Sequence, residues 1–184
     1  MARANDLSSQ YESWVTLWHE LVKRTKSPTR HVSFVIYFLV AVVIFGGLGV
    51  WTELRSYWFF IPTDEHPSPT LESVRTAIIT FFPALAGSAG MQLIWAENKD
   101  RSLRAFAFFV VTILGLVIFF TAPASVSDQI AIAAGSAASA VALWTWWIAN
   151  ANQKELLDPI NPDAATGPED LTGDLPGDLE KFTA

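Results

Sequence analysis

Ionisable side chains are scarce in the hydrophobic parts of this sequence, and Glu72 and Arg75 lie at the edge of one such part. They are three positions apart, so on a helix they share a face and can form an ion pair. A charged residue at the centre of a membrane helix costs roughly 2.5–3.5 kcal/mol and is usually functional. The position near a segment end favours an interfacial ion pair. The alternative is a charged ring at the outer mouth of an oligomeric pore.

A weakly polar strip continues from this pair along the same segment. Thr76 and Thr80 share a helix face, which Ala84 and Gly87 extend. The strip could line a water path in an oligomer, which makes Glu72, Arg75, Thr76 and Thr80 the candidate pore or outer-mouth residues. The alternative is hydrogen bonding between helices, worth about 0.6 kcal/mol for each bond.

Catalytic chemistry has little support in the sequence. The three histidines, His19, His31 and His66, fall in separate segments, whereas a metal or haem needs facing ligands at one depth. The chain has no cysteine, phosphate-binding loop, Gly-x-Ser-x-Gly or His-Glu-x-x-His motif. We therefore predict a non-enzymatic protein without a cofactor or metal. An intramembrane enzyme or redox subunit is the least favoured alternative.

Long apolar segments define the fold class. Only 16% of the residues are charged, against about 25% in soluble domains, and the apolar residues come in runs. Each of four runs is long enough to cross a bilayer as a helix. The predicted spans are about 32–51, 70–95, 105–122 and 130–148. The sequence thus predicts an all-α integral membrane protein, with a four-helix bundle over residues 31–150.

Small residues indicate where these helices pack. Ala86 and Gly90 are four apart on the second span, and Ala131, Gly135 and Ser139 are four apart on the fourth. Such faces allow two membrane helices to approach closely. We expect the two spans to touch through these residues, within one chain or across a homo-oligomer interface. Trp144, Trp146 and Trp147 are predicted to end the fourth span as an aromatic girdle.

Residues 1–30 are predicted to form an amphipathic helix. Apolar residues such as Trp14, Trp18 and Leu21 recur at helical spacing and lead into a basic cluster. This pattern favours a helix lying in the lipid headgroup layer on the cytoplasmic side. The alternative is packing on a partner protein or on the bundle's own cytoplasmic loops.

Residues 151–184 are predicted to be a disordered acidic tail, rich in Pro, Gly, Asp and Glu. The tail contains a repeat with a period of four residues. Its members are Asp170, Leu171, Asp174, Leu175, Asp178 and Leu179. On a helix the leucines would share one face, so we expect a tail that orders on a cytoplasmic protein partner. The alternative is a solvated tail without a partner.

Basic residues predict the orientation. Ten of the twelve Lys and Arg residues fall in the N-terminal region, the loop after the second span, and the tail. Positive charge near span ends stays cytoplasmic, so both termini should be cytoplasmic in a plasma membrane, the inner membrane if the source is bacterial. The net charge of -6 gives no reason to expect nucleic acid.

These features favour an oligomeric membrane anchor or sensor subunit that serves a cytoplasmic partner within a larger complex. A small pore-forming effector or ion channel, for example of a bacterial defence or toxin-like system, is the main alternative.

Overall fold

The computed structural model describes residues 2–59, 70–95 and 101–158, with side chains from residue 14 onward. Within these ranges the regular structure is entirely helical. The helices are α1 (Ala2–Lys26), α2 (Val32–Tyr37), α3 (Leu48–Phe59), α4 (Leu71–Trp95), α5 (Arg101–Thr121) and α6 (Asp128–Asn150). Short 3₁₀ turns occupy Ser27–Arg30 and Lys154–Leu156, and a π-helical segment, Phe38–Phe45, continues α2.

Three of these helices, α4, α5 and α6, are long and apolar enough to cross a membrane. A fourth candidate is the pair Trp14–Arg30 and Val32–Phe45, which is bent by 96° at His31. Pro28 lies in the intervening 3₁₀ turn, where its missing N–H and fixed φ end the α-helical hydrogen bonding of α1. The bend sets α1 nearly perpendicular to the first apolar helix.

The first apolar helix does not run unbroken over the predicted 32–51. It widens into the π-helical segment, turns at Gly46 and Gly47, and resumes as α3. The indole Nε1 of Trp51 donates to the carbonyl of Val43 at 2.9 Å. A methyl group at Gly47 would lie 2.5 Å from the Val43 carbonyl oxygen and 2.9 Å from that nitrogen, so the glycine makes room for both partners of this hydrogen bond. The break in the helix is therefore stabilised by a side chain that bonds a carbonyl next to the turn.

Helix α4 is the centre of the fold. It contacts α3, α5 and α6, and its interface with α6 is the largest in the described chain. Phe82 and Ala86 of α4 are buried in one core cluster with Ala138 and Ala142 of α6. Alanine on the α6 side lets the helix axes approach, and the larger α4 side chains fill the space between them. Pro83 lies inside α4 without ending it.

Two of the tryptophans at the end of α6 form hydrogen bonds to the N-terminal helix, contacts that the predicted girdle did not include. Trp146 is only 8% exposed and packs against Phe34 and Phe38. Trp147 donates to the carbonyl of Thr25 at 3.1 Å, and Trp144 donates to the Thr25 hydroxyl at 3.2 Å. The indole N–H groups of Trp144 and Trp147 therefore both bond Thr25 of α1, which the bend at His31 places beside them.

Candidate functional site

Arg75 occupies the most highly bonded position among the polar side chains of α4. Its guanidinium donates to the carbonyls of Thr121, Ala122, Pro123 and Val126 at 2.7–3.1 Å. These carbonyls lie at the C-terminal end of α5 and in the loop that follows, where helical N–H partners run out. A cation here also complements the negative end of the α5 dipole. Arg75 thereby ties α4 to the connection between α5 and α6.

The ion pair of Arg75 is with Asp128, at 2.9 Å, and not with Glu72 as the spacing along α4 had predicted. Asp128 is the first residue of α6, where a carboxylate is favoured by the positive end of that helix. Glu72 is exposed, one turn away. Arg75 is only 7% exposed, so the structure does not leave its guanidinium free at an aqueous opening of the single chain.

The other candidate pore residues lie along an open groove between α3 and α4, the α3–α4 groove. Its outer section, of about 470 Å³, is lined by Glu53, Glu72 and Thr76 among others. A second section of about 480 Å³ reaches Thr80 and Ser88, and Gly49 and Ala77 line both sections. The groove thus places two carboxylates at one end of a path of hydroxyl groups.

The hydroxyls in the α3–α4 groove are bonded to their own helix. Thr76 donates to the carbonyl of Glu72 at 2.9 Å, and Thr80 to that of Thr76 at 2.9 Å. Their oxygens keep acceptor capacity towards the groove. Within the single chain these threonines make no hydrogen bond to a second described helix. Their role as pore or packing residues therefore depends on what fills the groove.

The predicted packing residues lie on two different interfaces. A methyl group at Gly135 would lie 2.6 Å from Ile78 Cγ2, so α6 approaches α4 closely at this point. Ala86 and Ala131 are buried, and Ser139 donates to the carbonyl of Gly135 at 2.8 Å. Gly90 faces α5 instead, because its added methyl group would lie 2.6 Å from Val111 Cγ2.

The start of the C-terminal segment is fixed to the junction between α1 and α2. The Asp158 carboxylate accepts from the Ser33 backbone N–H at 3.3 Å, and the Asp158 N–H donates to His31 Nδ1 at 3.2 Å. Hydrogen bonds from Ser33 lower the pKa of Asp158 below its ordinary value of 3.8, with smaller contributions from Val32 and from the charge of His31, against an opposing effect of burial. Leu156 and Leu157 pack beside this contact, on the cluster of Phe34 and Trp146.

The leucine–acid repeat lies outside the described residues, as do His66 and the segment before Leu71. Within the described ranges no group of three or more His, Cys, Asp or Glu residues could hold a metal ion. Sequence reasoning missed the roles of Asp128, Thr25 and Asp158. Asp128 bonds Arg75, Thr25 bonds two tryptophans of α6, and Asp158 bonds the α1–α2 junction. Each partner is at least 53 positions away in the chain, and helical spacing carries no signal for such contacts.

The chain matches no protein-family model, no curated protein and no solved structure. The fold therefore defines its class by itself. It is an all-α protein whose three central helices have the length and apolarity of membrane spans.

Proposed function

We propose that this protein is a non-enzymatic, oligomeric subunit of the plasma membrane that anchors, or senses for, a cytoplasmic protein bound to its acidic tail. The observation that carries the proposal is the contact of Asp158 with His31 and Ser33. Any force or ordering in the following residues would reach the α1–α2 junction through this contact. Both termini are cytoplasmic in this proposal, since ten of the twelve basic residues then lie on that side.

The geometry supports coupling between the tail and the bundle. The α1–α2 junction is bonded from one side by Asp158 and from the other by Trp144 and Trp147 of α6. A partner that pulled Asp158 away would free the first turn of α2 and loosen the contact of Leu156 and Leu157 with the core. A signal at the tail is thus transmitted as a change in how α1 and α2 sit on α6.

The test compares the full chain with three variants in a co-purification from membranes. One variant ends at Asp158, a second replaces Leu171, Leu175 and Leu179 by Ser, and a third replaces Asp170, Asp174 and Asp178 by Asn. We expect a stoichiometric cytosolic protein with the full chain, its loss on truncation, and its loss when the leucines are replaced. Equal recovery with the truncated chain would remove the anchor proposal.

A small cation pore is the second candidate, and the α3–α4 groove favours it. In an oligomer, a second copy closing the groove would enclose Thr76 and Thr80 below the carboxylates of Glu53 and Glu72. Carboxylates at a pore mouth raise the local cation concentration. Arg75 has no direct part in this version, because it is occupied by Asp128 and four carbonyls.

Liposome flux separates this candidate from the anchor. We expect cation flux through the reconstituted protein to fall in the Glu53→Gln/Glu72→Gln variant. Thr112→Val is the control, because Thr112 is exposed on α5, away from the groove. Membranes that stay tight to ions with the full-length oligomer would count decisively against the pore.

A further inference from the structure

An unfilled apolar crevice lies between α1 and α5, and we call it the α1–α5 crevice. Its volume is about 440 Å³, within the range of roughly 300–1,000 Å³ typical of ligand sites. Its lining is almost wholly apolar. The residues are Trp14, Leu17, Trp18, Leu21, Ala105, Phe106, Phe109 and Trp144.

The α1 wall of this crevice is packed against the bundle near the C-terminal end of α1. Leu21 is buried with Leu103 and Ala107 of α5, and Thr25 is bonded by the tryptophans of α6. Towards its N-terminus the helix moves away from the bundle, and Trp14 and Trp18 are 72% and 65% exposed. The crevice therefore opens outward beneath an aromatic edge, and it lies beside the first turns of a span-length helix.

Two arginines lie in the first turn of α5, just N-terminal to the α5 residues that line the crevice. Arg101 is four residues before Ala105 and eight before Phe109, so these three positions share one face of α5. Arg104 is adjacent and also exposed. Neither arginine forms an ion pair with a described residue, and Glu20 of α1 is already held by Arg24 at 2.8 Å. Positive charge that has no ion-pair partner among the described residues thus borders an apolar space.

We propose that the α1–α5 crevice binds one anionic phospholipid. Its acyl chain packs along Phe106 and Phe109 beneath Trp18, and its phosphate group is held by Arg101 and Arg104. A guanidinium holds phosphate oxygens with two parallel hydrogen bonds, whereas a zwitterionic lipid offsets that attraction with its own cation. An uncharged apolar occupant would leave both arginines without a partner.

The lipid site requires that the chain sits in a bilayer, but neither a tail partner nor ion flux. Its failure would therefore leave the anchor and pore candidates where they stand. Failure of either would leave the lipid site intact, because the residues of the crevice are separate from the α3–α4 groove and from Asp158.

The test is native mass spectrometry of the full chain released from micelles that contain phosphatidylglycerol and phosphatidylcholine with identical acyl chains. We expect one retained phosphatidylglycerol for each protomer. Near a membrane surface each basic residue changes the attraction to anionic lipid by about fivefold. Arg101→Gln/Arg104→Gln should therefore lower the preference for phosphatidylglycerol by about 25-fold. Lys23→Gln is the matched control, since Lys23 is exposed on the opposite face of α1, and it should keep the preference.

A second variant tests the apolar part of the site. Ala105→Leu narrows the crevice and keeps both arginines, so retention of the lipid should fall. Bromine on the acyl chains provides an independent measurement, because it quenches nearby tryptophans. Brominated phosphatidylglycerol should quench the wild type more than brominated phosphatidylcholine, and Trp14→Phe/Trp18→Phe should reduce the difference to the contribution of Trp144. Unchanged lipid preference in the double arginine variant, or equal quenching by both lipids, would overturn the proposal.

Discussion

The Arg75 guanidinium contacts the Asp128 carboxylate at 2.9 Å, which joins α4 to the first residue of α6 across 53 positions of sequence. The same guanidinium bonds the carbonyls that end α5. One side chain therefore organises three helices at one end of the molecule. A buried charge is tolerated there because both terminal nitrogens of the guanidinium donate to acceptors.

Replacement of Arg75 should destabilise the fold more than any other single charge change on α4. Arg75→Gln removes charged hydrogen bonds, each worth about 1.5–3 kcal/mol. Because Asp128 is partly exposed and keeps some solvation, we expect the contribution of its bond to lie at the lower end of that range. The free energy of unfolding in detergent measures the effect.

Glu72→Gln is the control for this experiment, because Glu72 is exposed and lies on the same helix. It should leave the unfolding free energy within about 0.5 kcal/mol of wild type. A large effect of Glu72→Gln together with a small effect of Arg75→Gln would contradict the network described above.

The close approach of α6 to α4 at Gly135 predicts a matched pair of glycine variants. Gly135→Ala should cost about 1–3 kcal/mol, since the new methyl group meets the branched Ile78 side chain. Gly87→Ala has open space around it and should gain about 0.5–1 kcal/mol from helix propensity. Thermal unfolding of the two purified variants compares them directly, and a stabilised Gly135→Ala protein would refute this packing.

The turn between the π-helical segment and α3 can be tested through Trp51. Trp51→Phe should lose the bond to the Val43 carbonyl, at about 0.5–1.5 kcal/mol, and Gly47→Ala should cost more, because its methyl group displaces the indole and also meets the Val43 carbonyl oxygen. Because both changes remove one interaction, their effects should not add in the double variant. Gly49→Ala, with nothing near its added methyl group, is the neutral control. Full additivity would show that the two residues act separately.

The Asp158 contact predicts a dependence of stability on pH. The pKa of Asp158 is lower in the folded protein than its ordinary value of 3.8, so its contribution is present above that pH. The contribution disappears as pH falls through the lowered value. The difference in unfolding temperature between wild type and Asp158→Asn should thus be constant near neutrality and vanish in strong acid. A difference that persisted unchanged in acid would have another origin.

The positions of the long helices could be predicted from local sequence, but the break in the first one could not. Uncharged runs of about twenty residues predicted the spans, and the observed α4, α5 and α6 lie within four residues of those predictions at each end. The first span was predicted as one helix, yet it turns at Gly46 and Gly47. Glycine permits such a turn, but the indole that bonds the Val43 carbonyl depends on the course of α3.

The candidate site was predicted less well, for a physical reason. Spacing along one helix suggested Glu72 as the partner of Arg75, because neighbours at three and four positions are all that a single helix reveals. The acceptors that Arg75 uses lie on the loop between α5 and α6, where carbonyls are left unpaired by the end of a helix. The sequence shows that an arginine at this position needs hydrogen-bond partners. Which residues those partners are depends on how three helices pack.

The amino-acid sequence by itself determined that this protein is helical and apolar enough to enter a membrane, because hydrophobic length and the absence of charge are local properties. It also predicted that ten of the twelve basic residues lie on one side of the membrane. Only the tertiary structure decided that Arg75 bonds Asp128, that the α6 tryptophans hold α1, and that Asp158 returns to His31 and Ser33. These contacts join residues far apart in the chain, and their geometry exists only after the helices have packed.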